Sequence, residues 1–193
     1  MANKKESTFV SMVLTLFLVT FIASAALGYL YELTKGPIAA SKLAKQTEAI
    51  KKVVPEFDNE PGEESYKVEV DGGTLEFFPA KKNGELIGTA ISTFTNNGFG
   101  GTFKIMVGLL PDGTIHNISV LEHKETPGLG DKMQKNKSDW SVQFNGKNPA
   151  NFQLKVTKDG GDVDAITAST ISSRAFCDAV VRAYNAYMEG GQK

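Results

Sequence analysis

Hydroxyl side chains accumulate just before a predicted C-terminal helix. Residues 164–170 read Asp-Ala-Ile-Thr-Ala-Ser-Thr, and Ile171, Ser172 and Ser173 follow them. Capping a helix needs only one or two such side chains. A helix N-terminus also offers free backbone N–H groups and a partial positive charge, which together bind phosphate. The run therefore indicates either an over-capped helix start or a phosphate site in which a hydroxyl carries a phosphoryl group.

Two further segments combine glycine with residues that could contact a ligand. Residues 123–132 contain Pro127, which fixes one backbone angle, and Gly128 and Gly130, which permit unusual ones. This combination suits a tight loop held against a planar ligand, and its alternative is a well-built turn with solvated charges. Residues 96–101 read Asn-Asn-Gly-Phe-Gly-Gly, which on their own are typical of a structural turn between strands.

Composition excludes several classes of function. The net charge is -1, from 21 basic and 22 acidic side chains, and no basic cluster is interleaved with aromatic residues, so nucleic acid is not an expected partner. Cys177 is the single cysteine, which excludes an internal disulfide, a four-cysteine zinc site and a cysteine-ligated iron-sulfur cluster. No metal site is predicted, and any redox cofactor is expected to be organic.

Two of these segments resemble signatures of the FMN-binding domain family. Residues 164–170 are similar to its flavinylation motif, Asp-x-x-Ser/Thr-Gly-Ala-Thr, and residues 125–130 are similar to its second signature. The order of anchor, sheet, second signature, motif and helix resembles the G subunit family of Rnf electron-transport complexes. The C subunit of the sodium-translocating NADH:quinone reductase is a relative that is usually longer. The chain has Ala168-Ser169 where family members commonly have Gly-Ala, and a left-handed alanine there would cost about 1 kcal/mol or more.

The resemblance implies a function and a set of site residues. It implies an electron-transfer subunit of a membrane-bound, ion-translocating ferredoxin:NAD oxidoreductase, with FMN esterified through its phosphate to Thr170 by a separate flavin transferase. Asp164 and Thr167 would help the transferase recognise or activate the acceptor, and Ala168 and Ser169 complete the motif. The remaining flavin contacts implied are Phe99 and the residues that would line the isoalloxazine or ribityl site: Glu125, Thr126, Pro127, Gly128, Leu129 and Gly130. No residue of the chain is predicted to be catalytic by itself.

Periodicity predicts an α+β domain at residues 65–193 that positions these segments. Tyr66, Val68 and Val70 alternate with polar residues, and further strand-like runs lie at residues 75–78, 86–95, 103–110 and 114–121. Asp112-Gly113 joins the last two runs and is a strong hairpin signal. Residues 171–188 have helical apolar spacing. An antiparallel meander with a packed C-terminal helix is therefore expected.

The N-terminal region predicts a membrane anchor. Residues 9–31 carry no charge and are long enough to cross a bilayer, after a short cytoplasmic tail at residues 1–8. A cleaved signal peptide is the alternative, because Ala23-Ser24-Ala25 is a possible cleavage site, but the length of the run favours a retained helix. Residues 32–64 are expected to form a helix at 39–54, ended by Pro55, and a linker. Lysines on both sides leave the orientation open, and the resemblance implies a periplasmic domain on the inner membrane.

Two other functions stay open at the level of the sequence. A stand-alone flavin reductase would need its own acid-base residues and substrate-binding arginines, yet the chain holds only Arg174 and Arg182. A flavin-free binding or assembly module is favoured only by the departure at Ala168-Ser169. His123, beside the second signature, is interpreted as a surface imidazole in preference to a proton-transfer group. Trp140, with Phe144 and Phe152, is assigned to the core or a partner interface, and Cys177 is predicted to be buried.

Overall fold

The fold is described from a computed structural model, which covers residues 8–190. The predicted cytoplasmic tail lies outside the described residues except for Thr8. The first element is a 45-residue helix, α1, at Phe9–Val53. Its residues up to Ala44 form one compact unit, and residues from Lys45 onward form a second.

The first unit is an exposed apolar helix. Residues 9–44 of α1 bury no side chain, and the helix is long and apolar enough to cross a membrane. The separate helix expected after Gly36-Pro37 is instead a continuation of α1. Pro37 lacks the N–H bond to the preceding turn, and its ring crowds the carbonyl group four residues earlier. The long runs of helix-forming residues on both sides outweigh that local loss.

The second unit begins before the predicted domain start at residue 65. Ala49, Ile50 and Val53 of α1 are buried against the sheet, which places the end of the helix inside this unit. The loop that follows is also attached, because Asn59 Nδ2 donates to the Pro79 carbonyl at 3.0 Å and Asn59 Oδ1 accepts from the Lys81 amide at 2.8 Å. The acidic, Pro- and Gly-containing composition of this loop is typical of a linker, but its side chains bind the sheet.

Five strands form an antiparallel meander in the order β1-β2-β3-β4-β5. The strands are β1 at Tyr66–Val70, β2 at Gly73–Lys82, β3 at Glu85–Gly98, β4 at Gly101–Leu109 and β5 at Ile115–Glu122. Each predicted strand-like run is confirmed as one of them. Alternating side chains make both faces of the sheet apolar. Phe77, Ile91 and Ile105 belong to one core, whereas their neighbours Phe78 and Ala90 belong to the other.

A helix covers each face of the sheet. The predicted C-terminal helix is confirmed as α2, Thr170–Met188, and its buried residues include Phe176, Val180 and Tyr187. The residues between β5 and α2 contain the 3₁₀ helices Gly130–Met133, Asp139–Phe144 and Thr157–Asp159. The end of α1 covers the opposite face. The architecture is therefore α+β, and it brings the start of α2 beside the segment that follows β5.

Candidate functional site

The three segments singled out in the sequence meet around one cavity of ≈ 350 Å³. This volume lies within the range of roughly 300–1,000 Å³ found for small-molecule pockets. The cavity is lined by Phe99, Glu125, Thr126, Leu129, Gly130, Ala168, Ser169, Thr170, Ile171 and Ser172. The sheet positions the hairpin that carries Phe99, and α2 supplies the opposite wall.

Thr170 is the first residue of α2, and its hydroxyl group differs from those of the neighbouring serines in its hydrogen bonding. Ser169 Oγ donates to Ser172 Oγ at 2.8 Å, and Ser173 Oγ donates to the Ser169 carbonyl at 3.0 Å while accepting from the Ile166 amide at 2.9 Å. Within residues 8–190, no group hydrogen-bonds the half-buried Thr170 hydroxyl. The other hydroxyls are therefore engaged in folding the helix start, and Thr170 is available for chemistry.

Backbone donors beside Thr170 are also available. No described residue accepts a hydrogen bond from the amides of Thr170, Ile171 or Ser172, which form the first turn of α2. Ser169 occupies the N-cap position, but its side chain does not cap the helix. Free N–H groups and the positive end of the helix dipole bind anionic groups well. A phosphate linked to Thr170 would lie close to these donors, so the helix start fits the phosphate of FMN.

Glu125 joins the second segment to α2 and to the β3–β4 hairpin. Its side chain is 5% exposed, with Oε1 accepting from the Gly100 amide at 2.9 Å and Oε2 accepting from Ser172 Oγ at 2.6 Å. A Cβ on Gly98 would lie 2.6 Å from Oε1, and one on Gly130 would lie 2.5 Å from Oε2. The glycines in both segments therefore make room for this carboxylate, a reason that the sequence alone does not reveal.

Apolar side chains surround the mouth of the cavity. Phe99 is 69% exposed at the tip of the β3–β4 hairpin, and Ile171 and Leu129 are also exposed. A Cβ on Gly100 would lie 2.1 Å from the Lys124 carbonyl, so the hairpin tip packs directly on the segment that carries Glu125. A flat aromatic ring system fits a pocket of this kind, in which apolar side chains lie at the exposed edge beside a few buried polar groups.

Four of the predicted site residues do not line the cavity: Pro127, Gly128, Asp164 and Thr167. Pro127 and Gly128 shape the turn that leads to Leu129, with Gly128 at φ 78°. Asp164 and Thr167 are exposed on the approach to α2. The backbone of Asp164 is fixed by Trp140 Nε1, which donates to its carbonyl at 2.5 Å, and by Gln143 Oε1, which accepts from its amide at 2.8 Å. The Asp164 carboxylate has no partner among the described residues.

Ala168 adopts the left-handed conformation considered for the motif glycine. Its φ is 60°, and Asn83 is the other non-glycine residue with positive φ among those described. This turn directs Ser169 and Thr170 into the first turn of α2. The alanine is therefore accommodated in the same backbone geometry that a glycine would adopt, at a cost of about 1–2 kcal/mol.

Sequence reasoning missed Ile171 and Ser172 as members of the site. Ser172 is buried and connects Ser169 to Glu125 through hydrogen bonds. A usable signal was present, because residues three apart on a helix share a face, and a serine facing the core needs a partner. The partner, Glu125, lies 47 residues earlier, a separation at which sequence spacing carries no information.

His123, Trp140 and Cys177 have structural roles. His123 is half-buried, its Nδ1 accepts from the Glu125 amide at 3.1 Å, and its Nε2 lies against the Gln134 amide. Trp140 packs edge-on against Phe144 and Phe176, at centroid distances of 5.4 and 5.1 Å, which confirms its assignment to the core. Cys177 is 3% exposed, and burial raises the pKa of its thiol to about 12. Among residues 8–190, no His, Cys, Asp and Glu cluster could hold a metal ion.

Comparison with known proteins agrees with this geometry. Residues 98–185, which include all of the cavity-lining residues and most of α2, match the FMN-binding domain family. The chain is similar over most of its length to proteins named as the G subunit of an ion-translocating oxidoreductase complex. The relative from Shewanella amazonensis is 37% identical over 171 residues, covering 83% of this chain and 80% of that protein. The relative from Vibrio atlanticus is 39% identical over 160 residues, covering 78% and 77%. This chain belongs to that G subunit family.

Proposed function

We propose that this protein is an electron-transfer subunit of a membrane-bound, ion-translocating ferredoxin:NAD oxidoreductase complex of the Rnf type. Family membership supports the role in a complex, because the relatives named above are subunits of an ion-translocating oxidoreductase. The match to the FMN-binding domain supports FMN as the cofactor. Partners would be the other membrane subunits of that complex.

We further propose that FMN is bound covalently, through a phosphoester to Thr170. The observation that carries this proposal is the combination of an unpartnered Thr170 hydroxyl with three free amides in the same helical turn. In the net reaction, Thr170 loses its hydroxyl proton, a bond forms between Oγ and phosphorus, one P–O bond of the phosphate breaks, and the departing hydroxyl and the proton leave as one water. A separate flavin transferase would catalyse this step, with the exposed Asp164 and Thr167 as its contacts.

The chain's own residues would then hold the cofactor. The amides of Thr170, Ile171 and Ser172 would bind the phosphate, and the apolar rim formed by Phe99 and Leu129 would cover part of the ring system. Bound FMN supplies an isoalloxazine that accepts and releases electrons, while the protein sets its position and surroundings. A covalent tether keeps the cofactor at high effective concentration beside its redox partners. That advantage is greatest outside the cytoplasm, where we propose that the domain lies.

Intact mass of the full-length chain tests this proposal. The protein would be coexpressed with a flavin transferase, beside the isosteric variant Thr170→Val. We expect the unmodified sequence to gain the mass of one FMN less one water, and the variant to gain nothing. Thr170→Ser retains a hydroxyl and should be loaded at least in part, whereas Thr157→Ala, at an exposed threonine outside the cavity, should be loaded fully.

Two results would contradict the proposal. An adduct that persists in Thr170→Val would show that another residue is the acceptor, and peptide mapping would identify it. The absence of any adduct in the unmodified chain, with a transferase shown to load another member of the family, would favour the flavin-free module. The arrangement of the cavity does not favour a stand-alone reductase, because neither Arg174 nor Arg182 lines it.

A further inference from the structure

Glu125 brings a charge to the cavity in which the cofactor would lie. Among the lining residues, all of which are described, it alone has a charged side chain. The carboxylate is 5% exposed, and no Lys, Arg or His within residues 8–190 forms an ion pair with it. Its charge is therefore balanced only by hydrogen-bond donors and by the dipole of α2.

The carboxylate is held at a fixed place in the site. Oε1 accepts from the Gly100 amide and Oε2 accepts from Ser172 Oγ, which in turn accepts from Ser169 Oγ at 2.8 Å. Each oxygen of the carboxyl group is thus bound by a donor from a different element, the hairpin tip and α2. Gly98 and Gly130 pack closely against it, since a Cβ at either position would approach it to within 2.6 Å. A buried charge held in this way is weakly screened.

We propose that Glu125 acts on the bound flavin electrostatically and lowers its reduction potential. The inference rests on the proposed function, because it requires FMN in this cavity. Any reduction step that takes up more electrons than protons adds negative charge next to the carboxylate. Coulomb repulsion opposes that step and favours release of the electrons to the next carrier. Glu125 is thus a positioning and tuning residue, and the flavin's electrons come from and go to redox partners of the complex.

A redox titration of the loaded, full-length protein tests the inference. Glu125→Gln removes the charge at nearly constant volume, and its amide can still hydrogen-bond both Gly100 and Ser172. We expect the midpoint potential, followed by flavin absorbance during titration with dithionite, to shift in the positive direction. The matched control is Glu85→Gln, at the opposite end of β3 and roughly 40 Å from the hairpin along the strand, which should leave the potential unchanged.

Ser172→Ala is a second variant, for which we expect the midpoint potential to shift in the opposite direction from that in Glu125→Gln. It leaves Glu125 in place but removes one of the donors that stabilise its charge, so in a titration at alkaline pH, where the carboxylate stays ionised without this donor, the potential should shift in the negative direction. A purely structural role for Glu125 would give both variants a similar effect. The inference is overturned by unchanged potentials, or by a positive shift in Ser172→Ala, even if Glu125→Gln does not fold.

Mass spectrometry of the same samples separates this inference from the proposed function. If the unmodified chain carries no FMN, the proposed function fails before any potential is measured. If all samples carry one FMN and the potentials are equal, only the electrostatic role of Glu125 fails.

Discussion

Ala168 is the residue at which this chain departs from the flavinylation motif, and its φ of 60° makes the departure costly. Replacing it with glycine would relieve about 1–2 kcal/mol of left-handed strain. Glycine also gives the unfolded chain more conformational freedom, which offsets about 0.4–1 kcal/mol. For Ala168→Gly we therefore expect the free energy of unfolding to rise by roughly 0.5–1 kcal/mol. Denaturant titration would measure this change in the free energy of unfolding, provided that the slope of that free energy against denaturant concentration is the same in both proteins.

Ala165→Gly is the matched control for that measurement. Ala165 lies in the same segment but is not in the positive-φ region, so its replacement should lower the free energy of unfolding by roughly 0.4–1 kcal/mol, through the greater freedom of glycine in the unfolded chain. Equal losses of stability in the two variants would contradict the assignment of strain to Ala168.

Among single residues, the sequence predicts the flavin acceptor, Thr170, more readily than it predicts the residues that contact each other around the cavity. Thr170 and the anion-binding start of α2 follow from hydroxyls placed before a helical pattern and from the resemblance that the motif carries. The role of Glu125 as the group that Gly98, Gly100 and Gly130 surround depends on contacts between distant segments. Such contacts arise from the register of the sheet and the packing of α2, and they cannot be recognised in a single sequence.

The end of α1 is attached to the sheet by close backbone packing. A Cβ on Gly108 of β4 would lie 1.8 Å from the Val53 carbonyl oxygen, although Gly108 does not need a positive φ. The last carbonyls of the helix also receive bonds from β5, at 2.9 Å from Asn117 Nδ2 to Lys52 and 3.2 Å between His116 Nδ1 and Val53. These contacts hold α1 against the core formed with Phe78 and Met106.

Gly108→Ala should therefore force α1 and β4 apart. Overpacking of this kind costs about 1–3 kcal/mol, so we expect a loss of that size in the free energy of unfolding. Hydrogen exchange should also increase at residues 49–54. Gly62→Ala is the control, because a Cβ on Gly62 would have no atom within 4 Å, and the expected change is within about 0.5 kcal/mol. Unaltered exchange at the end of α1 would disprove the close-packing explanation.

The strands were predictable as apolar and β-branched runs bounded by turn residues, and α2 was predictable from its apolar residues at helical spacing. The continuity of α1 through Pro37 was not, since a proline that follows glycine is locally typical of a helix end. Residues 56–64 likewise have the composition of a linker, and only the bonds of Asn59 to β2 show that they belong to the folded unit. Local composition identifies where the chain can turn. Tertiary contacts decide whether that turn is bound to the folded unit or is a free linker.

For the molecule as a whole, cysteine labelling can test the proposed location of the domain outside the cytoplasm. The native cysteine should not interfere with this labelling. Cys177 is buried and its thiol pKa is raised to about 12, so at neutral pH it stays protonated and unreactive. A new cysteine at the exposed Lys67 of β1 should then report the side of the membrane. We expect Lys67→Cys to be labelled by a membrane-impermeant maleimide in intact spheroplasts at neutral pH.

Thr8→Cys is the counterpart before the start of α1. It should be labelled only after the spheroplasts are permeabilised, and the unmodified chain should remain unlabelled in both conditions. The reverse pattern, with Thr8→Cys labelled in intact spheroplasts and Lys67→Cys protected, would place the flavin domain in the cytoplasm.

The crowding around Glu125 also constrains how this family can evolve. A Cβ on Gly130 would collide only with side chains, at 2.5 Å from Glu125 Oε2 and 2.7 Å from Ser172 Oγ, and Gly130 is not in the positive-φ region. Its lack of a side chain is thus imposed by two other positions rather than by the backbone. Lineages that retain Glu125 and Ser172 must retain Gly130, whereas smaller residues at both positions remove the two shortest contacts and leave one of 2.9 Å to the Cβ at position 125, so that alanine at position 130 then needs only a small shift. Substitutions at these three positions should therefore covary among the descendants of a common ancestor.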